Sequence, residues 1–150
     1  MPNTIWSRLN HLQLGRYAEY YAKMEFASYG FDVYTSEVDD KGIDFIARVN
    51  EEYYEVQVKA VRQSTLVIRE SQLDISDHFL ICYLRFEDGC MPEAYVFPSS
   101  VWNSPNSLFN YRAYDKPSLK SSPEYSVNYS KKNFKLLAPY EISSFFSRFI

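Results

Sequence analysis

Two alternating runs, residues 43–49 and 53–61, stand either side of Asn50-Glu51-Glu52, and they constrain the fold more than any other stretch of the chain. Successive side chains of a strand point to opposite faces, so Glu55, Gln57 and Lys59 share one face while Val56, Val58 and Ala60 share the other. A connection this short suits a hairpin. The sheet it begins has an apolar face that needs covering and a face on which an acid, an amide and an ammonium follow one another.

A helix is predicted upstream. From about Asn10 to Ser28, the residues Leu14, Tyr17, Ala18, Tyr21, Ala22 and Met24 recur at helical spacing, and Gly30 ends the run. Ile5, Trp6 and Leu9 suit a helical turn ahead of this helix or an extension of it, with Gly15 as a joint or close-packing point. Residues 31–36 read as a strand, and Asp39, Asp40, Lys41 and Gly42 as the turn after it. A short helical turn is expected between Ser71 and Asp77, then strands at about 78–86 and 93–97 around a Glu87-Asp88-Gly89 turn. Residues 99–133 change to Asn, Ser, Pro, Tyr and Lys without a clean period and read as irregular loop or ribbon. A last amphipathic helix from Tyr140 to Phe149 presents Ile142, Phe145, Phe146 and Phe149 as core or subunit interface. Together these elements predict one domain over residues 1–150, of mixed α/β class.

Composition bounds the function. Cys82 and Cys90 lack CxxC spacing or a nearby His cluster, which argues against a disulfide framework or zinc module and for reduced, buried thiols. No apolar run approaches the about 20 residues that span a bilayer, so a soluble, cytoplasmic protein is expected. The net charge of -3 runs against a polyanion partner, but it is unevenly spread. Residues 1–60 carry six Lys/Arg against ten Asp/Glu, residues 61–110 three against six, and residues 111–150 seven against three. An acidic first part joined to a basic last part suits a metal site beside a phosphate-contacting region, and surface charge also segregates by chance.

If the hairpin turns near residue 51, Asp44 falls opposite residue 57 or 58, and its carboxylate comes beside Gln57 and Lys59. Oxygen ligands for a hard cation plus an ammonium that positions or deprotonates water are what metal-assisted phosphodiester hydrolysis requires. A solvated polar face of an antiparallel sheet would carry the same residues, so the pattern alone leaves both readings open. His11 and His78 are isolated from any ligand spacing, and no phosphate-binding glycine motif or nucleophile elbow occurs.

Three segments in order, Gly15-Arg16-Tyr17-Ala18-Glu19, Gly42-Ile43-Asp44-Phe45 and Glu55-Val56-Gln57-Val58-Lys59, resemble the PD-(D/E)XK nuclease superfamily of restriction enzymes and junction resolvases. Within it the chain looks most like the small bacterial intron-encoded homing endonucleases, the likeness covering residues 10–98. The resemblance implies a restriction-endonuclease-like αβββαβ core with extra DNA-binding loops, and a Mg²⁺-dependent DNA endonuclease in which Mn²⁺ substitutes. It implies Asp44 as metal-ligating acid, Gln57 as the ligand in the acidic place of the motif, Lys59 as the catalytic lysine, and Glu19 as a further acid aimed at the metal. Ile43 stands where the motif has Pro. Gln57 is the larger departure, because it offers a metal an uncharged carbonyl oxygen.

The partners implied are double-stranded DNA and further copies of the chain. Arg62 and Arg69 are candidate phosphate contacts near the scissile bond. Arg112, Lys116, Lys120, Lys131, Lys132 and Lys135, interleaved with tyrosines over about residues 103–135, suit phosphate and base-edge contacts from a ribbon in the major groove. Because one site cuts one strand, a double-strand break calls for at least a dimer, and a long target for a tetramer. Phe145, Phe146, Phe149 and Ile150 are the candidate interface. Site-specific homing cleavage, junction resolution and a DNA-binding module without activity are the three functions this sequence supports.

Overall fold

The computed structural model describes residues 1–36, 42–62, 65–114 and 122–149. Trp6–Arg8 forms a single 3-10 turn, and helix α1 follows at His11–Ser28. Its start is a capping box: the Asn10 side chain accepts from the Gln13 N–H, and the Gln13 side chain accepts from the Asn10 N–H, each at 2.9 Å. Its end is a Schellman motif, with Gly30 at φ +93° and N–H groups of Gly30 and Phe31 donating to the carbonyls of Ala27 and Phe26. The Phe26 and Phe31 rings, 5.1 Å apart, complete it.

Leu14, Ala18, Ala22 and Phe26, four apart, form the buried line of α1. Met24 falls off that line and is 62% exposed, which corrects its expected place on the apolar stripe. Gly15 meets nothing within 4 Å, so it is neither a joint nor a close-packing point. The close approach is made instead by Ala18 and Ala22, whose small side chains let the helix lie against the sheet.

Among the described residues the main sheet has five strands: β1 (Asp32–Thr35), β2 (Phe45–Val49), β3 (Glu52–Val61), β5 (Phe79–Arg85) and β6 (Glu93–Pro98), in the order β1-β2-β3-β5-β6. The β3–β5 pair is parallel and the others antiparallel. Asn50 and Glu51, at φ +50° and +66°, form the two-residue hairpin loop, and Glu52 already pairs with Val49. Two left-handed residues match the twist of the flanking strands and fix the register.

The crossover from β3 to β5 differs from the expected helix. It contains β4 (Leu66–Arg69) and a 3-10 turn at Glu70–Gln72. β4 joins β7 (Phe109–Arg112) and β8 (Glu124–Val127) in a second, antiparallel sheet of order β4-β8-β7, so the segment expected to be irregular contributes two strands. This small sheet covers one face of β5 and β6, burying Ile68, Phe79, Ile81, Phe97, Trp102 and Phe109 in a second core. The opposite face of the main sheet carries the first core, against α1 and the C-terminal segment.

The helix expected there is present as α3 (Ile142–Phe146) running on into a 3-10 turn at Ser147–Phe149, and a separate short helix, α2 (Phe134–Leu137), precedes it. Ile142, Phe145 and Phe146 are buried in the first core, which rules out the last two as a surface for subunit contact. Ile150 lies outside the described residues. No helix among the described residues is long and apolar enough to cross a membrane. Cys82 is buried as expected, whereas Cys90 is exposed.

Phe26 contacts the rings of Phe31, Phe45 and Phe146. Truncation to Ala is expected to cost about 3–5 kcal/mol in urea unfolding. Met24→Ala, by contrast, should stay within about 0.5 kcal/mol of the parent. Equal losses would contradict the burial line drawn for α1.

Candidate active site

Asp44 stands one residue before β2. Its N–H donates to the Val56 carbonyl at 2.8 Å, continuing the ladder, and its Oδ2 accepts from the Val58 N–H at 2.7 Å. The side chain thus takes a strand donor of β3 and is clamped where β2 begins. Because Phe45 and Val56 point into the first core, Gln57 and Lys59 point to the other face. Asp44, at the entry to β2, is close enough to Lys59 for its charge to act on the ammonium.

Gln57 is 1% exposed. Its Nε2 donates to the Gln72 carbonyl at 3.1 Å, tying β3 to the 3-10 turn of the crossover. Gly42 lies over the same amide: a Cβ there would collide with Nε2, and its φ is +68°. Only glycine meets both demands, so the turn before Asp44 and the Gln57 side chain are built for one another.

Lys59 is half-buried, beside Tyr83 of β5 in the register. Burial pulls its ammonium below the ordinary lysine range, and the Asp44 carboxylate acts in the opposite direction. A lysine so placed gives up its proton more readily than one in water while keeping a counter-charge close by.

Glu19 forms an ion pair with Lys23 one turn along α1, at 3.1 Å. Among the described residues there is no grouping of three His, Cys, Asp or Glu side chains able to hold a metal. The oxygen donors closest in the strand register are the Asp44 carboxylate and the Gln57 amide, the latter with its Oε1 buried. A charged and a neutral oxygen donor suit the chemistry of a hard cation such as magnesium.

The expected DNA-contacting residues separate into groups. Arg62 donates to the carbonyls of Trp6 and Leu9, fastening the chain before α1 to the end of β3. Arg69 and Arg112 are exposed and flank Glu124 across the outer face of the small sheet. Lys131, Lys132 and Lys135 are exposed on the turns that follow β8. Lys116 and Lys120 lie outside the described residues.

Residues not singled out from the sequence complete this surface. Thr65, Asn110, Ser126 and Asn128 line a groove of about 450 Å³ with Arg112 and Lys132. Their signal was present as alternation, since Phe109 and Val127 turn inward while Asn110, Arg112 and Ser126 turn outward. Four-residue strands in a polar stretch gave it little length in which to stand out.

No protein-family model matches the sequence, and neither does any curated protein. Among solved structures the chain is similar to Hjc of Archaeoglobus fulgidus, a Holliday junction resolvase from an archaeal hyperthermophile. The TM-score is 0.58 with 13% identity, over 91% of this chain and 98% of that one. It is also similar to I-Ssp6803I, a bacterial homing endonuclease, with a TM-score of 0.47 and 17% identity over 81% of this chain and 78% of that one. The five-stranded mixed sheet with α1 on one face is the restriction-endonuclease-like fold.

The coupling of Asp44 to Lys59 has a direct readout. In Asp44→Asn the charge that raises the Lys59 pKa is gone while burial remains, so the ammonium should titrate at lower pH than in the parent, followed by carbon NMR at the Lys59 side chain. A midpoint that stays put or rises would disprove the coupling.

Proposed function

We propose that this chain is a divalent-metal-dependent DNA endonuclease, with Asp44, Gln57 and Lys59 as its site. The observation that carries the reading is the half-buried Lys59 ammonium beside Asp44, on a face where the neighbouring strand position is the amide of Gln57. An ammonium drawn out of water beside a carboxylate is costly for a fold and useful for a reaction that moves a proton near developing negative charge.

Asp44 and Gln57 are the residues that would hold Mg²⁺, or Mn²⁺ in its place. Bound there, the ion would polarise the scissile phosphate and acidify the attacking water. Lys59 as the ammonium would orient the attacking water and offset the charge that builds on the phosphoryl oxygens, and only its neutral amine form could accept the water proton. Asp44, held by the Val58 N–H, keeps its remaining oxygen in a fixed direction. Gln57, held by Gln72 and covered by Gly42, has no rotamer freedom to lose when a ligand arrives. Arg69, Arg112 and Lys132 on the small sheet supply phosphate contacts, and Asn110, Ser126 and Asn128 hydrogen-bonding groups for base edges.

Two readings of the substrate follow from this one site. Sequence-selective cleavage of duplex DNA, the homing type, is favoured by the amide and hydroxyl groups in the groove of the small sheet. Junction resolution is favoured by the overlap of nearly the whole chain with a resolvase fold. Either would use two copies about a twofold axis to cut two strands, and a tetramer would extend the reach on DNA. Competition between a four-way junction and linear duplexes separates the two.

Asp44→Ala and Lys59→Ala are each expected to lower cleavage by about a hundredfold or more while DNA binding persists, measured by plasmid nicking and gel shift. Full cleavage in both variants would remove the site assignment. Gln57→Glu adds the missing charge and should lower the Mg²⁺ concentration for half-maximal activity, whereas Gln57→Ala should raise it. Identical magnesium curves would exclude Gln57 as a ligand.

A further inference from the structure

We infer that the exposed face of β1, β2 and β3 is a stacking platform for unpaired DNA bases next to the scissile phosphate, with Tyr34 and Tyr53 as its rings. This rests on the nuclease reading of the adjoining site.

The face is the one that carries Gln57 and Lys59. Val33, Phe45, Ala47, Tyr54 and Val56 point into the first core, so Tyr34, Ile46, Arg48, Tyr53 and Glu55 point the other way. The small sheet covers this side only over β5 and β6. Tyr34 and Tyr53 are 46% and 59% exposed, with ring centroids 6.4 Å apart and planes at 37°. The Arg48 guanidinium lies 5.6 Å from the Tyr53 ring centre and 3.8 Å from the Asp32 carboxylate. It lies over one face of the Tyr53 ring, and both rings keep about half of their surface open to solvent.

Position ties these rings to the site. Tyr34 pairs with Ile46, two residues from Asp44, which places it about 8 Å from Asp44, and Tyr53 is about 13 Å from Gln57 along the same strand. Both lie within reach of nucleotides beside a phosphate held at Asp44.

Charge then selects which part of the nucleotide they receive. On this face Asp32 is paired with Arg48, and the exposed Glu55 is offset by Lys59 two same-face positions further on, so no net positive charge draws a phosphate onto the rings. A base carries no charge and offers a π-face that tyrosine stacks without regard to sequence. In a continuous duplex each base is already stacked on its neighbours and has no face to give. The occupant that fits is an unpaired base.

The test uses the Lys59→Ala chain, which keeps substrate intact, and fluorescence anisotropy with two labelled probes: a linear duplex, and the same duplex carrying a short bulge of unpaired thymines. The bulged probe should bind more tightly, and Tyr34→Ala or Tyr53→Ala should each weaken it by about tenfold, leaving the linear duplex unchanged. Tyr34→Phe and Tyr53→Phe should retain the preference, since the ring and not the hydroxyl does the stacking. Equal affinity for the two probes would overturn the inference while leaving the nuclease reading intact. So would alanine variants that weaken both probes alike, or that convert a larger species to a smaller one in sedimentation, which would assign the face to a second copy of the chain. Absence of binding to either probe, together with unimpaired cleavage in Asp44→Ala and Lys59→Ala, would overturn the nuclease reading itself.

Discussion

The hydrogen bond from the Val58 N–H to the Asp44 carboxylate holds the arrangement of the site together, because it joins the start of β2 to the strand that carries Gln57 and Lys59. It exists only in one register. A slip by one residue would turn Gln57 and Lys59 toward α1 and bring Val56 and Val58 to the polar side. What prevents the slip lies at the other end of the hairpin, where Asn50 and Glu51 both adopt left-handed backbone and leave a loop of only two residues. Backbone conformation at one end thus sets the side-chain chemistry at the other.

β3 serves two environments at once. Its Val56 closes the first core with Phe45 and Leu80, while Gln57, one residue on, is held by the crossover. Its parallel partner β5 is apolar on both faces, with Leu80, Cys82 and Leu84 toward α1 and Phe79, Ile81 and Tyr83 toward the small sheet. Lys59 is pressed against that second wall, and the desolvation that follows draws its proton affinity down. The wall needs the small sheet behind it, so a module built from residues distant in sequence conditions the ionisation of a lysine it does not itself carry.

The hairpin, the first helix and the shared face of Gln57 and Lys59 were legible in the sequence because each rests on a local period. α1 was readable from its caps and its spacing, apart from Met24, which shared the approximate period but not the line of Leu14, Ala18, Ala22 and Phe26. The second sheet was not legible. β4 and β8 are each four residues long, and Leu66 pairs with Val127 across most of the intervening chain, so no window of sequence holds both partners. The C-terminal helix was legible because Ile142, Phe145, Phe146 and Phe149 keep a helical period, which hides only the change from α to 3-10 geometry at Ser147. Nor did the sequence reveal that Arg62 caps the carbonyls of Trp6 and Leu9, since that contact depends on how the chain before α1 lies over the end of β3.

Net charge was the weakest guide to function, and the structure explains why. At physiological salt, charges farther apart than about 8 Å are largely screened, so a DNA strand responds to the local surface and not to the total of -3. The carboxylates Asp32, Glu52 and Glu55 stand on the open face or at the hairpin end of β3, and Arg69, Arg112 and Lys132 on the small sheet. On the proposed function, an anionic backbone would find its attraction at the basic outer face of the small sheet and not in the total charge, so a net negative chain does not by itself exclude a polyanion partner.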